Sequence, residues 1–351
     1  MMPTRFPTSR LPAMFAAFVL AFGAVTSADA QNRGREEKPY PNATREEPRT
    51  DISRGNATKV NKAYEHIGEG ELDKAQALLE EIRTGSRATP YEKAISSVGL
   101  ANVAWELDDP ARAIELNKEA LATNALNNEA HFNAMLSIAQ MALMDEQYEL
   151  ALTYIDQWLA ESGNRTGEAI AVRGNALYRL ERYPEAVAAM KEAIGLATEP
   201  NESWNQLLLG SLIEGEMYEE AAQVATERLA KEPTNKNLAR QLAGIYLDLD
   251  RNDEAIAVME QARERGLLTE EADLRQLYQM YNFTDRPAKA SAVITEGLAA
   301  GILKEDEQTL KGLGDSYALA AESAADESAE QKDLWAKAAD AYGRAAAFSS
   351  K

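Results

Sequence analysis

His66 and His131 are the only imidazoles in the sequence, and it contains no cysteine. Thiol catalysis, structural disulfides and a lipid-modified N-terminal cysteine are therefore excluded. Neither histidine has a partner at metal or triad spacing, so both read as surface or packed side chains. Asp248, Asp250 and Asn252 begin like a calcium loop. The sixth position of such a loop needs Gly for its sharp turn, and the twelfth needs a bidentate Glu. Here they are Asp253 and Met259, so the segment reads as a turn between helices. Carboxylate pairs such as Glu80/Glu81 and Glu219/Glu220 carry no catalytic information in a chain with 57 acidic residues. No Gly-rich phosphate loop, H-E-x-x-H or G-x-S-x-G occurs. The residue types predict no enzyme, no cofactor and no metal.

Recognition is the chemistry that remains, and it requires elements that repeat. Ala75, Ala113, Ala151, Ala186, Ala221, Ala255 and Ala290 follow one another at 34 to 38 residues, and Ala338 comes 48 later. A small residue lies about twelve positions before several of them: Ala101, Ala139, Gly174 and Ala243. Two helices crossing at their closest approach leave room for a methyl group there and little more. The period resembles that of the tetratricopeptide repeat. It predicts an all-α, right-handed superhelical solenoid of about eight helix-turn-helix repeats. Polar turns such as Asp108-Asp109-Pro110 and Asp285-Arg286-Pro287 would separate the helices. Trp105, Trp158, Tyr178, Trp204, Tyr218, Tyr246 and Tyr281 fall where the repeat needs bulk.

In a superhelical stack the first helices line the concave face. Positions three before, one after and four after the small residue share one side of a helix. The residues there predict a partner-binding groove. Asn102, Gln140, Asn175 and Gln279 stand one after, and Trp105, Tyr178 and Asn282 four after. Asn205, Arg240, Arg275 and Lys311 are read as three before. Arg240, Arg275 and Lys311 would form a short positive ladder suited to a carboxylate-bearing segment. The bland alternative is that all are ordinary helix-surface residues paired with neighbouring Glu.

The formal charge is -20 over 351 residues, with 45% hydrophobic and 27% charged. Such an acidic chain repels phosphate backbones, which argues against nucleic acid. Arg5 and Arg10 precede an apolar run from Leu11 to Val25, and Ala28-Asp29-Ala30 gives a small-x-small cleavage site. This pattern predicts a signal peptide over residues 1–30, cleaved before Gln31, and a periplasmic mature chain without membrane insertion. Residues 31–55 are charged and lack apolar periodicity, which predicts a disordered leader. Residues 56–351 would form the solenoid, with a degenerate first repeat at 57–85 and an extended last one at 306–350. The Ala/Glu-rich insertion at 318–333 either lengthens both helices of that repeat or forms a mobile loop.

Residues 201–303 carry a more specific likeness. Trp204 opens a helix, Gln241-Leu242-Ala243-Gly244-Ile245-Tyr246 follows, then Arg265-Gly266-Leu267-Leu268-Thr269 and Glu296-Gly297-Leu298 before Gly301. This stretch resembles exported bacterial repeat proteins described as candidate TonB-system components, and the likeness extends more weakly from Asn61 to Tyr317. The insertion after Tyr317 departs from it. The resemblance implies an accessory role with TonB, ExbB and ExbD and transfers no catalytic residue. The residues also fit an envelope-assembly or cell-wall adaptor. An acidic holdase or cation-buffering protein remains open as a different class.

Overall fold

The computed structural model describes residues 40–199 and 201–349. The expected signal peptide and residues 31–39 of the leader lie outside them. The chain divides into two compact units, residues 1–176 and 177–351. Among the described residues there are sixteen helices and no strand. The first unit contains α1 (Arg54–Gly68), α2 (Leu72–Arg83), α3 (Pro90–Glu106), α4 (Pro110–Ala122), α5 (Asn128–Met144) and α6 (Tyr148–Glu161). α7 (Gly167–Arg179) begins in the first unit and ends in the second. The second continues with α8 (Tyr183–Leu196), α9 (Glu202–Glu214), α10 (Tyr218–Lys231), α11 (Lys236–Asp248) and α12 (Asn252–Glu264). It closes with α13 (Glu271–Phe283), α14 (Pro287–Ala299), α15 (Glu307–Ser323) and α16 (Ala329–Ser349). Within each unit, a second helix packs on its own first helix and on the next one. The expected all-α helical repeat is present.

All eight marker alanines are 0 or 1% exposed. Ala101, Ala139 and Ala243 are likewise sealed, and Gly174 is buried. The crossings therefore select small side chains, and large ones such as Leu79, Phe132, Ile155, Met190 and Leu212 fill the space to either side. Each fully buried side chain of that size contributes about 1.5–3 kcal/mol relative to exposure.

The turn inside each of the first seven hairpins has one geometry. Gly70, Asp108, Glu146, Glu181, Glu216, Asp250 and Asp285 have φ between 56° and 74°, and each lies five positions before its marker alanine. The following N–H donates to the carbonyl five residues back at 2.7–2.9 Å, as Asp109 does to Ala104 and Arg251 to Tyr246. This closes the first helix with a left-handed residue, as in a Schellman ending. Most second helices then start without a side-chain cap, whereas first helices are capped by Ser53, Thr89, Asn127, Asn201, Asn235 and Asp306. In the last repeat the insertion lengthens both helices, to 17 and 21 residues. Gly314 allows their close crossing, since a Cβ there would lie 2.6 Å from the Tyr342 ring.

The expectation of a disordered leader over 31–55 needs correcting within the described residues. Residues 40–53 are irregular but fastened to the first unit, and α1 begins at Arg54. Thr44 donates its N–H to the carbonyl of Glu161, and Ser53 donates its N–H and hydroxyl to Glu92. Lack of periodicity predicted lack of helix, but the polar groups at helix ends hold the segment all the same.

Candidate protein-interaction faces

In the first unit, α3 carries Asn102 and Trp105, α5 carries Gln140, and α7 carries Asn175; all are half-buried. Each follows a sealed small residue by one or four positions, so the helix pitch turns it away from the crossing. The side chains are amides and one indole, which suit hydrogen bonding to a main chain and apolar contact.

In the second unit, Tyr178 is half-buried, and its ring meets Tyr183 at a centroid distance of 5.8 Å. Burial raises its pKa, with Glu214 adding to the effect. Gln279 is exposed, and Asn282 donates to the Ser316 hydroxyl at 2.9 Å. Asn205 is half-buried on α9, but it is one residue out of register. Counting twelve back from Ala221 reaches Leu209, so Gln206 holds the position three before, and Gln206 is exposed.

Arg240, Arg275 and Lys311 do fall at equivalent positions, but each already has an acidic partner. Arg240 lies 3.5 Å from the fully buried Asp273, which also takes Lys236 at 3.2 Å. Arg275 pairs with Glu271, and Lys311 with Glu307, each one turn earlier on the same helix. The positive ladder is thus neutralised row by row. The reading of these cations as helix-surface residues paired with neighbouring acids fits them better.

His66 has no partner at metal or triad spacing along the chain, and the fold brings two acids to it. Its Nδ1 lies 2.7 Å from Glu71 and 3.8 Å from Glu69 across the turn made by Gly70. The three residues offer metal-ligating atoms close together. Lys74 also binds Glu71 at 2.6 Å and, ahead of the histidine, lowers its pKa. As arranged, the group is a polar cluster closing the first hairpin, with Lys74–Glu71 as its ion pair. Its signal was the i, i+3, i+5 spacing astride a Gly. His131 is buried beside Phe132, and burial, with Arg45 adding like charge, pushes it down to about 4. Asp248, Asp250 and Asn252 form the expected helix turn, with Asp250 left-handed and Asn252 opening α12. No helix of the described residues is long and apolar enough to cross a membrane.

Residues 241–264, which span most of α11 and α12, match the family described as Tetratricopeptide repeat. No curated protein matches the chain. Among solved structures, the C-terminal part of a TPR repeat-containing protein from Cytophaga hutchinsonii is similar, with 15% identity and a TM-score of 0.53. It covers 72% of this chain and 99% of that one. A tetratricopeptide repeat protein from Parabacteroides merdae is 16% identical, with a TM-score of 0.46 over 75% of this chain and 99% of that one. YrrB, titled a TPR protein with an unusual peptide-binding site, is 18% identical at a TM-score of 0.41, covering 49% of this chain and 85% of its own. The Cytophaga likeness and the sixteen helices among the described residues show an all-α helical-repeat fold.

Proposed function

We propose that this chain is an exported protein-interaction scaffold of the periplasm, serving as an accessory to a TonB–ExbB–ExbD energy-transduction system. One observation carries the scaffold reading. In α3, α5 and α7 an amide (Asn102, Gln140, Asn175) directly follows a buried small residue, half-buried and turned away from the crossing, with Trp105 one turn on in α3. Such a face offers a row of hydrogen-bonding and apolar groups to another polypeptide. The periplasmic address rests on Arg5, Arg10, the apolar run and Ala28-Asp29-Ala30. The TonB association rests on the resemblance of residues 201–303.

Crosslinking in intact cells, followed by mass spectrometry of captured proteins, tests this reading. TonB, ExbB or ExbD should dominate the capture, from protein released when the outer membrane is opened and beginning at Gln31. Capture of many unfolded chains without preference would point instead to a holdase. An intact Leu11–Val25 segment in the purified protein would make it an anchored scaffold.

A further inference from the structure

Residues 40–47 lie along the edge of the first unit where second helices end and first helices begin. Helix ends leave carbonyls unpaired at the C-terminus and N–H groups unpaired at the N-terminus. The segment answers them in turn. Thr44 donates its N–H to the carbonyl of Glu161, the last residue of α6, at 2.9 Å. Arg45 donates to the carbonyl of Asn124, just past α4, at 3.2 Å, and to the side chains of Asn124 and Asn128 at 2.8–3.0 Å. Two positions on, the Glu47 carboxylate accepts the N–H of Asn128, the first residue of α5, at 3.2 Å. A cation thus meets the negative end of one helix and an anion the positive end of the next.

The aromatic end is equally specific. Tyr40 lies 4.8 Å from Phe132 and 6.2 Å, edge-on, from Trp158, and its hydroxyl donates to Asn133 at 3.1 Å. Gly163, with φ 68°, lets the segment pass: a Cβ there would lie 2.4 Å from the Asn42 carbonyl. Yet no residue of 40–47 is buried, so the segment is held by solvated contacts.

We propose that this edge is a docking site for an irregular, turn-containing polypeptide segment bearing an aromatic residue followed five positions later by Arg-x-Glu. Residues 40–47 are its resident occupant, and a partner's segment of the same chemistry displaces them. The groups that read the segment are helix-end main-chain atoms together with the side chains of Asn124, Asn128, Asn133, Phe132 and Trp158, and a chain with that pattern satisfies them. Tethering gives the resident an effective concentration on the order of millimolar, which keeps the site closed to weak competitors. The proposal stands on the first unit alone and does not depend on the first-helix face.

The test is anisotropy of a labelled peptide with the sequence of residues 40–53, titrated with the full chain and with its Tyr40→Ala/Arg45→Ala variant. The variant should bind at least about tenfold more tightly than the parent, and a peptide carrying the same two alanines should bind neither. Adding Asn124→Ala and Asn128→Ala to the variant should abolish binding while helicity is kept. No binding to the folded variant would mean a permanent structural strap, and equal binding to both proteins would mean another surface; either overturns the proposal. Should that variant fail to fold, Thr44→Pro, which removes the N–H given to Glu161, replaces it with the same outcomes.

Discussion

At the scale of single residues, the packing alanines were legible because a close crossing tolerates so few side chains. Ala186 is sealed and Ala188, two positions along, is exposed. Ala186→Leu should therefore cost about 1–3 kcal/mol by overpacking, while Ala188→Leu should stay within about 0.5 kcal/mol. Equal shifts in denaturant midpoint for the two would contradict the register. His131 was legible as a packed histidine but not its consequence for pH. Its folded pKa, about 4, lies below the ordinary value near 6.5. Between those values the unfolded chain binds a proton that the folded chain refuses, so stability falls as pH drops from about 6.5 toward 4. The loss is on the order of 2–3 kcal/mol. Urea unfolding at pH 7 and pH 4.5 should show a smaller drop for His131→Gln than for the parent, and parallel drops would show that His131 does not titrate this way. The pairing of Arg240 was not legible, because Asp273 sits a whole repeat further along the chain. Arg275 and Lys311 were simpler, each having a Glu one helical turn before it.

At the scale of elements, helix existence followed from periodicity, and the hairpin turns were placed by their polar residues. Their left-handed residue was hidden, because six of the seven turns use Asp or Glu where Gly is the low-cost choice. A left-handed L-residue costs about 1–2 kcal/mol, partly offset in Gly by its greater chain entropy. Glu181→Gly should therefore stabilise by about 0.5–1 kcal/mol, and Gly70→Ala should destabilise by about 1 kcal/mol. Thermal melts of the two variants check the pair, and a destabilising Glu181→Gly would mean that its side chain matters more than its backbone. Residues 40–53 escaped sequence reading because the groups that hold them, helix-end main chain and the side chains of Glu92, Asn124, Asn128 and Asn133, lie far along the chain from the segment. The last hairpin follows the insertion as one of its two expected outcomes. Gly314→Ala should drive a methyl into Tyr342 and cost about 1–3 kcal/mol, read as an earlier loss of α15 and α16 in hydrogen exchange.

At the scale of the whole molecule, the charge of -20 conceals an ordered use of cations. Arg83 reaches Glu119, Arg251 reaches Glu219, Arg286 reaches Asp253 and Arg263 reaches Glu296, each pair tying one hairpin to the next. Such exposed pairs contribute about 0.2–1 kcal/mol each, enough to set register and too little to hold the fold. Among the described residues the basic side chains are largely paired with acids of the same chain. The central proposal is that first-helix positions meet the partner. Photo-crosslinking amino acids placed in living cells at Gln140, at Gln279 and, as a control, at Gln223 on the second helix α10 test it most directly. Discrete adducts with one TonB-system protein from Gln140 or Gln279, and none from Gln223, are the predicted result. Adducts from Gln223 alone, or none from the first-helix positions in folded protein, would contradict the account.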